Sequence, residues 1–436
     1  MADESHTTFR SSLSVLRNGL YARFMIAEFV SMVGSWMQTQ AQQFLVEENA
    51  HSSLEQAFIS FALTIVIPLF NPWGGSVADR ADRRRILMFV VAFQGLMALL
   101  VGGLVHFHTW ALWHLAVVSV VMGVSHAFEG PAYSGLLAQL VPKEKLSAAV
   151  AVDRSVFHSA RIIGPALAGV AVAALGTESA FFANAFSYLG PLLILATLPP
   201  ARPDTPEEAR ARRSGFWDGW RFVRSDAPTF RMVLVMAANA LFCSPFVVVL
   251  LTFYARRTLH LDSVGIGWLM SLTGIGALFA SFMILAVAPS RRVLFLRLGS
   301  GVSVVSMFAL AAANSFVVAA LSFGFLTMGL NFVFGIGNQL VQERAPDVLR
   351  GRVSAVAAMS FVGVIPFSGL ITAALDGWLG MRMALQVCAA AYAVISVWML
   401  ARRWPVLGRT VAPAAEPPPT KEQIALQHEI DTDMSG

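Results

Sequence analysis

Apolar stretches of about twenty residues, separated by short polar or charged ones, run almost the whole length of this chain. A helix crossing about 30 Å of hydrocarbon needs about 20 mostly apolar residues. Twelve segments meet that length: 20–46, 56–77, 86–106, 111–133, 147–175, 179–198, 231–254, 264–287, 293–313, 316–339, 353–376 and 383–401. The pattern predicts an all-α membrane protein of twelve transmembrane helices. Residues 199–230 interrupt it between the sixth and seventh segments, first with "ARPDTPEEARARRSG", a polar linker. "FWDGWRFVR" follows, and its alternation of aromatic and charged positions predicts a short amphipathic helix lying on the membrane surface. The tail from 402 to 436, with "VAPAAEPPPTKEQ", has the composition of a disordered segment. No cleavable signal peptide is expected, because residues 1–18 are polar and the first apolar segment runs on past the length of a signal core.

Composition strengthens the membrane reading. Hydrophobic residues make up 56% and charged residues 13% of the 436 positions, where a soluble chain is about 25% charged. Mean hydropathy is +0.65. The isoelectric point near 9.6 needs no nucleic-acid partner, because loop position explains the basic charge. With the N-terminus in the cytoplasm, 26 of the 31 Lys and Arg fall on cytoplasmic segments, and only Arg256, Arg257 and Arg382 fall outside. That bias predicts both termini in the cytoplasm. Cys243 and Cys388 both lie inside apolar segments and read as packing residues, with no disulfide, metal site or cofactor expected.

The two halves echo each other. "LVPKEKLSAAVAV" follows the fourth segment and "RAPDVLRGRVSAVAAM" the tenth; "ADRADRRRILMF" and "APSRRVLFL" occupy equivalent places. The predicted layout is therefore a cytoplasmic segment (1–19), a six-helix half (20–198), a cytoplasmic linker with its amphipathic helix (199–230), a second six-helix half (231–401) and a cytoplasmic tail (402–436). Repeats of this kind place a substrate site between the halves near the bilayer midplane.

"GGSVADRADRRR", residues 74–85, sets dense charge between two apolar segments. It resembles the signature loop of the major facilitator superfamily, G-x-x-x-D-R/K-x-G-R-R/K, through Gly75, Asp79, Arg80, Arg83 and Arg84; Asp82 replaces the second glycine. "SARIIGPALAG" resembles a fifth-span motif of exporters in that superfamily, matching at Gly164, Pro165 and Gly169. "FEGPAYSGLLAQLVPKEKLSAAVAV" resembles the drug and siderophore (enterobactin-type) exporter branch. The resemblance implies the major facilitator fold and alternating access, with Asp79 capping a helix start in the other half when the cytoplasmic side closes. A carboxylate there is favoured by the helix dipole, and the arginines would pair with nearby carboxylates. Simple retention of the loop in the cytoplasm is the competing reading. Many proton-driven exporters of the superfamily carry an arginine in the middle of span 4; "LAVVSVVMGVSHAFEG" has none.

Ionisable groups within spans are costly and tend to face a cavity or partner. At about 100° per residue, Glu28, Ser31, Ser35, Gln38, Thr39 and Gln42 share one arc of the first helix and are expected to line the central cavity. An interhelical hydrogen-bond seam explains the same stripe. Arg154, His158, Arg161 and Pro165 share one face of the fifth helix, suited to an anionic substrate group, a proton relay or a structural ion-pair network. Glu129 is expected to pair with Arg154 or the signature-loop arginines at the cytoplasmic gate. Asn239 is a further candidate for the cavity in the second half. Glu28 is the main candidate proton site.

These readings point to a secondary transporter without enzymatic activity: a proton-coupled exporter of amphipathic or siderophore-like small molecules. It is expected to act as a monomer embedded in the lipid bilayer of the bacterial cytoplasmic (inner) membrane. An importer or a flippase of lipid-like substrates remains open, as does a transport-inactive sensor or enzyme. The sequence has no G-x-x-x-x-G-K-[ST] phosphate loop, no H-E-x-x-H and no G-x-S-x-G.

Overall fold

The computed structural model describes residues 14–200, 216–346 and 348–401. Helices are α1 (Gly19–Asn49), α2 (Ser53–Arg80), α3 (Arg83–His106), α4 (Leu112–Leu140), α5 (Leu146–Leu175), α6 (Glu178–Ser187) and α7 (Leu189–Thr197). They continue as α8 (Phe216–Ser225), α9 (Ala227–Phe242), α10 (Ser244–Val248), α11 (Leu251–Arg257), α12 (Ser263–Ala286) and α13 (Arg292–Ala312). The last are α14 (Phe316–Arg344), α15 (Arg350–Val362), α16 (Ile365–Leu379) and α17 (Met381–Leu400). No strand occurs among the described residues.

The starts are set by short polar side chains that accept the free amides of the first turn. Asn18 accepts from Leu20 and Tyr21, Ser52 from Glu55, Asp82 from Arg84, Asp262 from Gly265 and Ser315 from Val318. Prolines set three breaks, because the ring meets the carbonyl four residues earlier. Pro191 follows the break at Tyr188, Pro245 the one at Cys243, and Pro366 the one at Gly363–Val364. Pairs α6–α7 and α15–α16 thus each form one interrupted crossing.

Ten such helical stretches are long and apolar enough to cross a membrane among the described residues. Two predicted spans fall outside that set for visible reasons. The polar stripe of α1 lowers its hydropathy, although at 31 residues it extends roughly 46 Å. The seventh span is divided into α9, α10 and α11, and its longest piece has 16 residues.

Helices α1–α7 form one group and α9–α17 another. Two apolar clusters are built from the first group and one from the second together with Val223 of α8. The fourth joins them, setting Phe44 of α1 and Ala57 of α2 against Phe246, Val249 and Leu250. Within each group the helix ends are tied alike. Arg84 at the start of α3 donates to the carbonyls of Leu195 and Ala196 at 2.7 and 2.8 Å, beside the end of α7. Arg297 of α13 donates to the carbonyl of Leu400, ending α17, at 2.7 Å. These matching ties carry the internal repeat into three dimensions. Tyr21 near the start of α1 donates to the Ala149 carbonyl near the start of α5, and His158 of α5 lies 3.5 Å from Ser281 towards the end of α12, which precedes α13; the start of α1 and the end of α17 therefore lie towards one end of the bundle, here the near face, and the opposite end is the far face.

The amphipathic segment forms α8 as predicted, but it does not lie free on a surface. Arg352 of α15 donates to Asp218 at 2.7 Å, Gly219 lies against the Arg352 backbone, and Val223 is fully buried. Its apolar side finds protein to pack on.

Candidate functional site

The far face closes the space between the two groups. Glu47, buried near the end of α1, accepts from Arg256 Nε at 3.1 Å and pairs with Arg257 at 3.7 Å. Arg256 also reaches Glu48 at 3.5 Å, and Arg257 donates to the Ala50 carbonyl at 2.9 Å. Thr252 of α11 donates to Gln43 at 2.7 Å and accepts from Gln40 at 3.2 Å. Gln56 of α2 donates to the Val249 carbonyl at 2.8 Å, and Ser53 to the Ala373 carbonyl of α16 at 3.3 Å. Towards the near face the packing changes. While α2 packs on α16, the near part of that span, α15, packs on α8, α9 and α14.

Below this seal lies a cavity of about 480 Å³, within the usual range for small-molecule sites. The first group supplies most of its wall, including Glu28, Ser31, Ser35, Trp36, Thr39 and Gln43 of α1. Gln94 comes from α3, His126, Glu129 and Tyr133 from α4, and Phe157 and Arg161 from α5. Val247, Val248 and Met270 close the side of the second group. The polar groups of the wall all come from the first group, which also supplies Met32, Trp36 and Phe157; the second group's share is apolar.

Its electrostatics are uneven. Glu129 Oε2 accepts from His126 Nδ1 at 2.9 Å and from Gln94 Nε2 at 2.7 Å. Tyr133 donates to Asp153 of α5 at 2.6 Å. Glu28 makes no hydrogen bond or ion pair with another described residue, and it shares the cavity wall with the carboxylate of Glu129. Arg161 lies 5.5 Å over the Trp36 ring, and its buried Nε has no acceptor among the described residues. A charge at the centre of a spanning helix costs about 2.5–3.5 kcal/mol on insertion scales. A ring contact returns about 0.5–2 kcal/mol.

The α1 stripe divides. Glu28, Ser35 and Thr39 reach the cavity, with Ser35 also 3.2 Å from the Tyr188 hydroxyl. Gln38 and Gln42, expected in the cavity, turn to neighbours: Gln38 accepts from Asn184 of α6 at 2.7 Å, and Gln42 donates to Ser119 of α4 at 2.8 Å. Gln38 sits on the edge of the arc; Gln42 lies within it, where α4 offers a partner. On α5, Arg161 reaches the cavity, His158 lies 3.5 Å from Ser281 of α12, and Arg154 is exposed. Glu129 is not bound to Arg154 or the loop arginines as expected; His126, one turn away on its own helix, is closer. Asn239 lies outside the cavity, fully buried, donating to Tyr392 at 2.9 Å.

In the signature loop, Arg83 is buried against Gly135 of α4 and donates to the Ala78 carbonyl at 3.2 Å. Arg84 ties α3 to α7 as described. The bonds of these two arginines include backbone carbonyls within the first group. Gly75 faces open space, Asp79 is half-buried and Arg80 exposed.

The fifth-span motif brings helices close. An added Cβ on Gly164 would stand 2.9 Å from the Val33 carbonyl oxygen of α1. One on Gly267 of α12 would stand 2.5 Å from the Pro165 carbonyl oxygen, with Gly169 alongside. Only glycine allows backbones this near, so α5 is clamped between α1 and α12.

Sequence reasoning missed His126, Gln94 and Tyr133. A signal for two of them existed: His126, Glu129 and Tyr133 are spaced three and four apart, one face of α4.

Comparison with known proteins agrees with the fold. The chain is 26% identical to the uncharacterised MFS-type transporter YfiS of Bacillus subtilis over 400 residues, 86% of this chain and 90% of that one. It is 22% identical to the multidrug efflux pump Tap of Mycolicibacterium fortuitum, over 88% of this chain and 96% of the pump. Identity to the staphyloferrin A transporter of Staphylococcus aureus is 25%, over 43% of this chain and 47% of that one. The structure superposes on a bacterial homologue of the lysosomal transporter Spinster, in its inward-facing, unoccupied conformation, with a TM-score of 0.68 at 13% identity. That match covers 89% of this chain and 98% of the other. The model of the transmembrane secretion effector family matches residues 10–432. The protein is therefore an integral, multi-pass membrane transporter, and it belongs to the transmembrane secretion effector family of the major facilitator type.

Proposed function

We propose that this transporter is a proton-coupled exporter of amphipathic or siderophore-like small molecules, working by alternating access. It has twelve spans in two six-helix halves, both termini in the cytoplasm, and acts as a monomer in the bacterial cytoplasmic membrane. The single observation that carries the reading is the cavity between the two helix groups, sealed at the far face and holding an acid with no partner among the described residues. The basic residues of the sequence assign the near face to the cytoplasm. On that assignment the described arrangement is inward-facing, able to take substrate from the cell. Likeness to the pump Tap supports export; likeness to the staphyloferrin A transporter over part of the chain supports a siderophore-like substrate.

Residue roles follow from position. Glu28 is the proton site, because Glu129 is already held by His126 and Gln94. Ser35 and Arg161 meet substrate. Gln38, Gln42, His158 and Asn239 position helices around the cavity. Pro165 and Gly169 form the contact with α12 on which the halves turn, and Gly164 seats α5 on α1. Asp79 and Arg80 latch the near face when it closes, with Arg83 and Arg84 holding the loop in shape.

Proteoliposomes with an interior pH dye test this. Lipophilic cations, neutral drugs and anionic chelators are applied to wild type and Glu28→Gln. Proton flux driven by one compound class and abolished in the variant is the expected result. Exchange of labelled against unlabelled substrate with no proton movement in wild type would remove proton coupling.

A further inference from the structure

We infer that Arg161 anchors an anionic group of the transported molecule, on a seat formed with the rings of Trp36 and Phe157. The inference rests on the cavity being the transport site, and it narrows the substrate to molecules carrying a negative charge beside a planar or apolar body.

The partners of other cations define the exception. Arg256 and Arg257 pair with Glu47, Arg344 with Asp226, Arg352 with Asp218 and Arg292 with Glu343. Arg297 spends its guanidinium on a helix-end carbonyl. Arg161 is the sixteenth residue of the 30-residue α5, and so lies at mid-helix. There it has neither a carboxylate nor a carbonyl among the described residues, and its buried Nε lacks an acceptor. The terminal nitrogens are not enclosed: Arg161 is half-buried and lines the cavity, so an anion there can reach them. A guanidinium offers parallel N–H donors that fit a carboxylate or phosphate two at a time.

The surroundings fit an anion with an apolar body. Trp36 lies under the guanidinium, and Phe157 meets Trp36 edge-on with centroids 5.9 Å apart. Val247, Val248 and Met270 complete the apolar side. The seat is rigid, since Gly164 holds α5 on α1 at Trp36, and Gly274 of α12 packs on the α5 backbone at Arg161 and Ile162. Glu28 stands eight residues before Trp36 on α1, about 12 Å along the axis. The acid and the anion seat are therefore separate, and removing one charge should leave the other's task intact.

Binding of 2-naphthoate, 2-naphthamide and 2-naphthylmethylammonium to the purified full chain in nanodiscs separates the possibilities, because the three share one ring system. Naphthoate is expected to bind at least tenfold tighter than the amide and the ammonium. Arg161→Gln should erase that preference, Arg161→Lys should keep part of it, and Glu28→Gln should keep it while losing proton flux. A wild type that binds the amide or the ammonium as well as the acid, or an Arg161→Gln that still prefers the acid, would overturn the assignment. Retained helicity and melting temperature in Arg161→Gln serve as the folding control, and the lysine variant tests the charge without removing it. If anion preference is absent while neutral or cationic drugs still drive proton flux, the anchor alone fails. If nothing binds and no compound moves protons, the transport site itself is misplaced.

Discussion

Neutralising Glu47 should open the far face. Its side chain is 6% exposed, whereas Arg256 and Arg257 are 27% and 44% exposed. In Glu47→Gln both arginines keep water and Arg256 keeps Glu48, so the change stops short of a fully buried orphan charge. Losing a hydrogen bond to a charged group costs about 1.5–3 kcal/mol, a factor of roughly 10–150 in the ratio of closed to open far face. Ala57 reports on the seam, being 1% exposed where the two groups join. The assay uses Ala57→Cys, with Cys243 and Cys388 replaced by alanine, and a membrane-impermeant maleimide applied from the far face. Labelling should speed up at least tenfold when Glu47→Gln is added. A rate within twofold of the parent, in protein with unchanged melting temperature, would refute the argument that this ion pair holds the far face shut.

Two further outcomes follow from the same geometry. Gly267→Ala sets a methyl group 2.5 Å from the Pro165 carbonyl oxygen; it should lower transport at least tenfold while membrane expression persists, and full activity would mean α5 and α12 are not closely apposed during the cycle. Asp226 caps α9 at the near face and takes Arg344 at 2.7 and 2.8 Å. Burial raises its pKa, but the bonds from Arg344 and Thr229 outweigh that and hold it below the ordinary aspartate value. Its contribution is therefore present above the unfolded pKa of about 3.9 and lost as pH falls through the lower folded value. Asp226→Asn should melt earlier than wild type at pH 7, with the gap closing below about pH 4; a gap independent of pH would assign the effect to something other than this charge.

Much of the fold was legible because twenty-residue apolar segments leave little choice in a bilayer. Starts at Ser52, Asp82 and Asp262 were encoded by single capping residues. The interruptions after Phe242 and Val362 carried only a proline as warning, and proline bends some helices without breaking them: Pro68, Pro72, Pro131 and Pro165 all lie inside continuous helices. The site was less legible. A helical wheel shows that Gln38 and Glu28 share a face, but a neighbour decides which of them it claims, and Asn184 claims Gln38. Likewise the charge of Glu129 suggested a distant arginine, whereas His126 one turn away reaches it first. The arginines of the signature loop read as ion-pair partners; that Arg84 also reaches the carbonyls of Leu195 and Ala196 carries no signal in the sequence.

Locking the far face tests alternating access most directly. Ser53 Oγ lies 3.3 Å from the Ala373 carbonyl, so α2 and α16 touch there, and the double variant Ser53→Cys, Ala373→Cys is used to carry a cross-link over the seam, its completion read from loss of free thiol. With Cys243 and Cys388 replaced by alanine, oxidation should stop transport in proteoliposomes and a reductant should restore it. Full transport with the cross-link complete would contradict the account, because substrate would then be crossing without the far face opening.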